Sequence, residues 1–331
     1  MTASTTPGGA PAGQPAGGSA SAPTTGGPTT GGPTAGAPPT GAPVAVVGRR
    51  RRDRRWESGL RHAFAIAAVC FAIFPIVFVV SAALNPVGTL SSSELVPTQV
   101  SGENFTELFR TTPFAHWFWN SILVSGLSSA VSIFVSACAA YAFSRLRFTG
   151  RRPGLMFLLL VQMFPTFLAI VALFLMFTEI GNYYPVIGLN SIWGLMLLYL
   201  GGALGANTWL MKGFFDTVPK ELDEAARVDG ASHAKVFFQI IFPLVSPILA
   251  VTVLLSFIAT INEFIIASLF LTDRHAQTLA VGLYGLVSAD RNQNFGLFAA
   301  GTLLTAIPTV ALFFFLQKYI VGGLAAGAVK G

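Results

Sequence analysis

The side chains best suited to chemistry in this chain lie between Pro219 and Pro243, in a charged segment that reads PKELDEAARVDGASHAKVFFQIIFP. Long apolar stretches flank this segment on both sides. Hydrocarbon does not tolerate charges of this density, so the segment must lie in water or against another protein. Charge-assisted hydrogen bonds and steric fit to a partner surface are the chemistry that these residues support.

Signatures of catalysis and of nucleotide binding are absent from the sequence. It contains no GxxxxGK[ST] loop for phosphates, no GxSxG and no HExxH. Cysteines and carboxylates at metal-ligand spacing do not accompany any of the four histidines, which are His62, His116, His233 and His275. We therefore expect no enzyme activity, no metal and no cofactor in this chain. The energy for any work must come from a separate chain.

The composition is that of an integral membrane protein. The 331 residues are 53% hydrophobic and only 10% charged, with a mean hydropathy of +0.66, whereas soluble domains carry about 25% charged residues. Apolar windows of about 20 residues are long enough to cross a bilayer as helices. Six such windows occur, at residues 62–84, 120–143, 153–177, 189–211, 244–271 and 295–319. The predicted fold class is an all-α membrane protein with six transmembrane helices.

The basic residues orient these helices. When the connecting segments alternate between the two sides, 17 of the 20 Lys and Arg residues fall on one side, and Arg110, Arg274 and Arg291 fall on the other. Cytoplasmic segments carry the excess of positive charge in membrane proteins. We expect both termini to be cytoplasmic, in the cell membrane of a prokaryote, with the basic residues near the first span against anionic lipid. Topology thus explains the net charge of +6 without nucleic acid as a partner.

Composition also divides the chain into parts. Residues 1–48 form a head rich in Gly, Pro, Ala and Thr, with no charged side chain. We predict a disordered tail there, and a tether to a partner is the alternative. Residues 49–61 are a basic juxtamembrane segment. Residues 62–321 form the membrane domain, with a core of about 116–318, and residues 322–331 form a cytoplasmic tail.

Local signals in the charged segment predict a helical hairpin over residues 213–243. Asp216 or Thr217 can cap the first helix, and Gly230 can end it in a left-handed turn. Ser232 can cap a second helix. The apolar face of that second helix consists of Val236, Phe237, Ile240 and Ile241.

Polar side chains in or beside the predicted spans are candidates for lining a hydrated path through the membrane. They are Gln162, Asn207, Thr208, Asn262 and Glu263. The alternative role is hydrogen bonding between helices, which contributes about 0.6 kcal/mol for each bond. The sequence leaves both roles open.

The hairpin resembles a known signature. Its spacing matches the EAA---G---------I-LP pattern of the permease subunits of binding-protein-dependent, type I ABC importers. The matching residues are Glu224, Ala225, Ala226, Gly230, Ile240 and Pro243. Phe242 stands in the usual Leu position, which is a mild apolar change. The stretches SFIATINEFIIASLFL, TLAVGLYGL and QKYIVGGLAAGAVKG resemble the smaller permease of maltose/maltodextrin importers, and this resemblance covers most of residues 61–331.

The resemblance implies a type I ABC importer permease fold and a role as half of a translocation pathway. A second permease subunit would complete the pore, and an ATP-binding subunit dimer would bind ATP and Mg. An extracytoplasmic sugar-binding protein would deliver the carbohydrate and contact the loop at 272–294. The hairpin would be the coupling helix that docks on the ATP-binding subunit. The tail at 322–331 would reach towards the interface between the two ATPase subunits, or fray.

Other functions stay open from the sequence. Maltose or maltodextrin is the expected substrate, and another sugar or glycerol phosphate is the alternative. A standalone secondary carrier would be expected to show paired internal repeats and ionisable groups within the membrane. Only one hairpin of this kind occurs, which disfavours a carrier. A membrane-embedded enzyme would need catalytic carboxylates or a metal cluster, and the sequence displays neither.

Overall fold

The computed structural model describes residues 51–86, 89, 99–289 and 294–328. None of these residues forms a β-strand, and most of them are helical. The chain divides into a unit of residues 1–58 and a unit of residues 59–331, and all contacts described below lie within the second unit. The all-α prediction is confirmed for this described part of the chain, and the head at 1–48 lies outside it.

Helices follow one another along the described residues. Their bounds are α1 Arg51–Leu84, α2 Glu103–Thr111, α3 Phe114–Arg145, α4 Arg151–Gln162, α5 Thr166–Tyr183, α6 Ile192–Thr217, α7 Lys220–Val228, α8 His233–Val236, α9 Phe242–Leu244, α10 Ser246–Ile261, α11 Ile265–Phe270, α12 Leu279–Ala289 and α13 Phe295–Ala328. A 3-10 turn at Pro185–Ile187 precedes α6, and a π-helical turn at Phe237–Ile241 joins α8 to α9.

Four of the described helices are long and apolar enough to cross a membrane. They are Ser58–Leu84 within α1, Phe114–Arg145, Ile192–Thr217 and Phe295–Ile320 within α13. A fifth is added if the bent pair from α8 to α10 counts as one span. These helices agree with the predicted windows at the corresponding positions. The total of six spans and the side of each terminus stay predictions.

The windows at 153–177 and 244–271 are each broken rather than continuous. In the first window the chain leaves the helix after Gln162 and resumes it at Thr166. Pro165 is the physical reason, because proline has no N–H and its ring disfavours helical backbone at the preceding residue. In the second window the helix stops after Ile261 and resumes at Ile265 as the short helix α11.

A sharp bend separates the hairpin from α10. The helical segments His233–Leu244 and Ser246–Ile261 meet at an angle of 75°. Pro243 and Pro247 lie on either side of the bend, and each removes a backbone donor that a straight helix would use. Proline therefore sets the angle at which the hairpin enters the membrane domain.

The helices α3 and α6 form the most extensive helix pair, and α10 packs against both α3 and α13. Small side chains occupy the buried face of α3. They are Ser121, Ser125, Ser128, Ser129, Ser132, Ser136, Ala137 and Ala140. Small residues let helix backbones approach closely, and close packing holds helices together where lipid removes the hydrophobic driving force. The helix α3 is thus the central element of the bundle.

The last helix is longer than the sequence predicted. The window at 295–319 ends well before Ala328, where α13 ends. Residues 322–328 of the predicted tail therefore prolong the last helix. Pro308 lies inside α13.

Candidate functional site

The first arm of the hairpin is α7, which begins at Lys220 directly after Pro219. The predicted capping by Asp216 or Thr217 was wrong, since Pro219 holds the N-cap position and makes no side-chain cap. The reason is that α6 continues through Thr217 and keeps Asp216 in its own last turn. There the Asp216 carboxylate accepts hydrogen bonds from Lys212 Nζ and Ser144 Oγ, both at 2.5 Å.

Gly230 ends the first arm in a left-handed turn, as predicted. Its φ is +83°. The N–H of Ala231 donates to the carbonyl of Ala226 at 2.9 Å, and the N–H of Gly230 donates to the carbonyl of Arg227 at 3.0 Å. This pair of bonds is the Schellman motif. A Cβ at Gly230 would meet no atom within 4 Å, so the backbone conformation, and not crowding within this chain, demands glycine.

The second arm starts at Ser232, whose side chain caps α8 as predicted. Its Oγ accepts a hydrogen bond from the N–H of Lys235 at 3.3 Å. The arm then widens into the π-helical turn that ends at Ile241. Pro243 lacks an N–H and would crowd the carbonyl four residues earlier in a regular helix. The wider turn relieves that crowding, which is a common reason for π-turns inside helices.

The inward face of the hairpin packs on the bundle. Val236, Phe237 and Ile241 are buried against Phe215 of α6 and Tyr141 of α3. The prediction of an apolar face on the second arm is confirmed at these positions. Tyr141 and Phe237 have ring centroids 5.1 Å apart. The second arm is therefore attached to the membrane helices by apolar packing.

The remaining signature residues on this side of the hairpin lie at the edge of the same cluster. Ala226 and Ile240 are half-buried and pack against it. Phe242 does so as well, with its ring centroid 5.7 Å from that of Phe237. Phe242 therefore fills the usual Leu position without disturbing the packing.

The outward face of α7 carries the other part of the signature. Glu224, Ala225 and Gly230 are exposed. Leu222 and Val228 lie on the exposed side as well, with 41% and 87% of their surfaces accessible. The structure thus divides the signature between an exposed surface and an inward contact.

A buried ion pair joins α7 to α3. Asp223 Oδ2 lies 2.6 Å from Arg145 Nε, and the two side chains are only 12% and 4% exposed. Arg145 Nη2 also donates to the carbonyl of Val218 at 2.7 Å. Sequence reasoning missed this pair, because the two residues lie on different helices and far apart in the sequence. The spacing of Asp223 three residues before Ala226 is the signal that places it on the inward face.

The environment of Asp223 shifts its titration. Burial raises the pKa of the Asp223 carboxyl, Arg145 lowers it and Glu224 raises it, and the resulting pKa lies above the ordinary value. A raised pKa means that the folded protein binds the proton more tightly than the unfolded chain does. The charge on Asp223 therefore costs folding free energy, and acidification neutralises this carboxyl earlier than an exposed aspartate.

The predicted pathway residues on α6 make contacts within the bundle. Asn207 Nδ2 donates to Ser132 Oγ of α3 at 3.2 Å. Thr208 is buried and donates to the carbonyl of Leu204 at 2.6 Å. Gln162 is the last residue of α4, and its side chain packs against Gly205 of α6. A Cβ added at Gly205 would lie only 2.6 Å from Gln162 Nε2.

Asn262 and Glu263 lie together at the break between α10 and α11. Asn262 is exposed and lines a cleft of about 630 Å³ with Tyr284. The Glu263 carboxylate accepts the N–H groups of Ile266 at 2.9 Å and Ala267 at 3.0 Å, so it caps α11. It also accepts the hydroxyl of Tyr199 at 2.5 Å. The structure brings these two predicted residues together. Asn207 lies elsewhere, within α6, and Gln162 of α4 packs against that helix.

Comparison with known proteins decides the family. Residues 132–325 match the binding-protein-dependent transport system inner membrane component family. This match covers more than half of the chain and includes the whole hairpin. The chain belongs to this family. The resemblance drawn from the EAA residues is confirmed.

Individual relatives align over most of this permease. The maltodextrin transport system permease protein MdxG of Bacillus subtilis (strain 168) is 40% identical over 263 residues, which cover 78% of this chain and 91% of that protein. The galactooligosaccharides transport system permease protein GanQ of the same strain is 39% identical over 262 residues, which cover 78% and 90%.

A solved structure shares the fold. The crystal structure of a bacterial ABC transporter involved in the import of the acidic polysaccharide alginate aligns with a TM-score of 0.65 and 22% identity, over 82% of this chain and 98% of that chain. At this identity the likeness supports the fold alone. The permease fold predicted for the chain is therefore confirmed.

The predicted exterior loop of the permease is held by the side chain of Asn190. Asn190 Oδ1 accepts the N–H of Thr272 at 2.7 Å and the N–H of Asp273 at 2.8 Å. Asn190 itself has a φ of +56°, a left-handed conformation that asparagine adopts more readily than most residues. Sequence reasoning missed Asn190, since its partners lie far away along the chain.

Side chains from α3 hold the same loop. Trp117 Nε1 donates to the carbonyl of Arg274 at 2.6 Å, and Asn120 Nδ2 donates to the carbonyl of His275 at 2.9 Å. The part of the loop before α12 is thus fixed by contacts with two other elements. Residues 290–293, in the later part of the predicted loop, lie outside the described residues.

A first prediction concerns the left-handed turn. We expect Gly230→Val to lower the stability of the purified permease by about 1–2 kcal/mol, because a Cβ disfavours this backbone conformation. Gly230→Asn should cost less than half as much, because asparagine tolerates positive φ. Thermal unfolding in detergent, followed by Trp fluorescence, measures both. Gly213→Val is the control, since that glycine lies inside α6 with no atom near its Cβ position. Equal losses for the Asn and Val variants would contradict the backbone argument.

A second prediction concerns the break before α11. Tyr199→Phe should destabilise the permease by about 1.5–3 kcal/mol, the usual contribution of a hydrogen bond to a charged group. The same thermal assay applies. Tyr183→Phe is the matched control, since Tyr183 is exposed at the end of α5. If the two variants unfold at the same temperature, the Tyr199 bond does not help to hold the break.

Proposed function

We propose that this permease is half of the translocation pathway of an ATP-driven importer for oligosaccharides, and that α7 docks on the ATP-binding subunit. The exposed face of α7 carries this proposal. Leu222, Ala225 and Val228 recur at every third position on that face, and Val228 is 87% exposed. Exposure of this apolar ridge to water is unfavourable, and the charged side chains around it oppose insertion into lipid. The ridge is therefore suited to burial in a cleft of another protein.

The other signature residues support docking in different ways. The Glu224 carboxylate would make charge-assisted hydrogen bonds to the ATP-binding subunit. Ala225 and the turn at Gly230 would allow its surface to approach closely. Ala226 and Ile240 face inward and hold the two arms of the hairpin on the bundle.

Energy would enter through a dimer of ATP-binding subunits, which would bind ATP and Mg. Closure of that dimer would displace α7 and switch the pathway between its two sides, which is a two-state motion of rigid domains. A second permease subunit would complete the pathway. The second arm of the hairpin meets α10 at 75° next to Pro243, so a displacement of the hairpin would be transmitted to α10 across that bend.

The substrate class is supported by the relatives. MdxG is a maltodextrin permease and GanQ is a galactooligosaccharides permease, and their identities to this chain differ by a single percentage point. An oligosaccharide is therefore the proposed substrate. Maltose or maltodextrin leads among oligosaccharides, because the chain also resembles the smaller maltose/maltodextrin permease in three separate stretches.

An extracytoplasmic sugar-binding protein would deliver the substrate. The family consists of components of binding-protein-dependent systems. The loop from Thr272 onwards would form part of the docking surface, and Asn190 and Trp117 would hold it in shape before the partner arrives. A preordered surface loses less conformational entropy on binding.

Among the candidate pathway residues, Asn262 is the best supported. It is exposed at a helix break and lines a cleft together with Thr302 and Tyr284. Amide, hydroxyl and aromatic groups are the side chains that bind sugars in hydrated sites. Asn262 Nδ2 donates to the Ile258 carbonyl at 2.8 Å, within its own helix. Asn207 and Glu263 are instead engaged in hydrogen bonds between helices, and Gln162 is packed on α6.

The experiment that tests this proposal is affinity purification of the chain from its native membranes in mild detergent. We expect a second permease, an ATP-binding subunit and a sugar-binding protein, identified by mass spectrometry. Val228→Asp should lose at least 90% of the ATP-binding subunit while it retains the second permease, because the substitution would bury an unpaired charge in an apolar contact.

Val100→Asp is the matched control for that variant. Val100 is an exposed valine, with 72% of its surface accessible, and it lies outside the hairpin. Recovery of an intact chain without partners would overturn the importer proposal and favour a standalone carrier. Equal loss of the ATP-binding subunit from both variants would overturn the assignment of the docking face. Calorimetry of the recovered binding protein with maltodextrins and galactooligosaccharides would then identify the sugar.

A further prediction concerns the charge on the docking face. Glu224→Lys should reduce sugar uptake by at least tenfold at normal expression, because it reverses the charge that faces the ATP-binding subunit. Uptake of radiolabelled sugar by intact cells measures this. Glu103→Lys is the control, since Glu103 is an exposed acid in the first turn of α2, outside the hairpin. Normal uptake by the Glu224 variant, or equal loss in the control, would remove Glu224 from the docking site.

A further inference from the structure

The last turn of α3 contacts the end of α6, the linker that follows it and α7 itself. Ser144 Oγ donates to Asp216 at the end of α6 at 2.5 Å. Arg145 Nη2 donates to the Val218 carbonyl in the linker at 2.7 Å, and Arg145 Nε lies 2.6 Å from Asp223 of α7. Three successive parts of the segment that leads into the hairpin are thus joined to one turn of one helix.

The contact with α7 is unusual in its chemistry. Among the side chains of α7, all of which the structure describes, only Asp223 is buried. The second arm of the hairpin packs with buried apolar side chains, whereas the buried side chain of the first arm is charged and only the half-buried Ala226 adds an apolar contact there. A buried ion pair is weak evidence for stability, because removing two charges from water offsets much of their attraction. The pair therefore needs a reason other than stability.

An ion pair adds a fixed point to a contact, because two opposite charges attract most strongly where they meet. Apolar contacts are non-directional, so an apolar substitute would let α7 shift along the bundle surface. Arg145 Nη2 donates a hydrogen bond to the Val218 carbonyl, and Arg145 Nε makes an ion-pair contact, without an aligned hydrogen bond, to the Asp223 carboxylate. The pair fixes the register of α7 against α3 while it leaves Ala225 and Val228 free on the outer face.

The far end of α3 holds the predicted exterior loop. The helix has 32 residues, a length of about 48 Å. At its first turns, Trp117 and Asn120 bind carbonyls of that loop, and Ser121 Oγ accepts the N–H of Leu279 at 2.7 Å. One rigid helix therefore joins α7 at one end to the exterior loop at the other.

We propose that Arg145 and Asp223 are positioning residues that tie α7 to α3, so that displacement of α7 moves α3 and, with it, the exterior loop. This inference rests on the proposed function, since it assigns the route by which docking at α7 reaches the opposite face. Breaking the tie should uncouple the two faces without preventing assembly.

The test compares variants of the importer purified whole in lipid nanodiscs. Removing one partner alone leaves a buried unpaired charge and can prevent folding. The informative variants are therefore the apolar double variant Arg145→Met with Asp223→Leu, and the charge reversal Arg145→Asp with Asp223→Arg. Lys212→Met is the control, since it removes an ion pair to Asp216 that lies within α6.

Hydrogen exchange gives the first readout. In the apolar double variant, the amides of Lys220–Val228 should exchange at least tenfold faster than in the wild type. The amides of Phe237–Ile241 should be unchanged, because apolar packing holds that turn. Lys212→Met should match the wild type at both places. Unchanged exchange of α7 in the double variant would overturn the inference.

ATPase activity gives the second readout. Stimulation of ATP hydrolysis by the sugar-loaded binding protein should fall at least tenfold in the apolar double variant, while basal hydrolysis remains. The charge reversal should restore part of the stimulation, which a merely structural role would not predict. Full stimulation in the double variant would overturn the inference. A wild type that lacks stimulation would instead contradict the proposed function, and hydrogen exchange would still decide whether the pair positions α7.

Discussion

Inside a bilayer, every backbone N–H and C=O must find its partner within the protein, and the places where this chain leaves a helix show how that requirement is met. At the break before α11, the Glu263 carboxylate accepts the first N–H groups of the new helix and the hydroxyl of Tyr199. At the start of α6, Ser191 accepts the N–H groups of Trp193 and Gly194. A few polar side chains therefore set where the rigid parts of the bundle begin. The helices between them can be almost entirely apolar.

The same constraint made the hairpin predictable. A segment that lies outside the hydrocarbon folds by the ordinary rules of capping and helical period. Those rules placed the left-handed turn at Gly230, the cap at Ser232 and the buried face at Val236 and Phe237. The family signature added to these local signals, because its spacing follows from one helix, one turn and one further helix. Fold class and hairpin were thus accessible from residues that lie close together in the sequence.

What the sequence could not supply depends on contacts between distant segments. The partner of Asp223 is Arg145, on a different helix, and nothing near either residue points to the other. Asp216 is bonded to Ser144 of α3 as well as to Lys212 of its own helix, which keeps it in the last turn of α6 and explains why the predicted cap was wrong. The break after Ile261 has a cause that is local in part, since Glu263 accepts the N–H groups of Ile266 and Ala267, and distant in part, since Tyr199 of α6 donates to the same carboxylate. The hydropathy of residues 244–271 predicts one continuous span, whereas the Glu263 side chain stabilises the start of a second helix, α11, within that window.

The polar side chains of the membrane helices also bear on where sugar specificity resides. Asn207 is bonded to Ser132, and the hydroxyls of Thr208 and Thr252 donate to carbonyls within their own helices. Side chains that are already bonded within the bundle have fewer hydrogen bonds to offer a sugar, and a sugar that displaced such a bond would have to replace it. Such a permease can serve different oligosaccharides with little change of its own residues. The nearly equal identities to a maltodextrin permease and a galactooligosaccharides permease agree with that arrangement. Under the proposed function, selection of the sugar would then fall mainly to the second permease and the binding protein, and this chain would contribute the mechanical part of the importer.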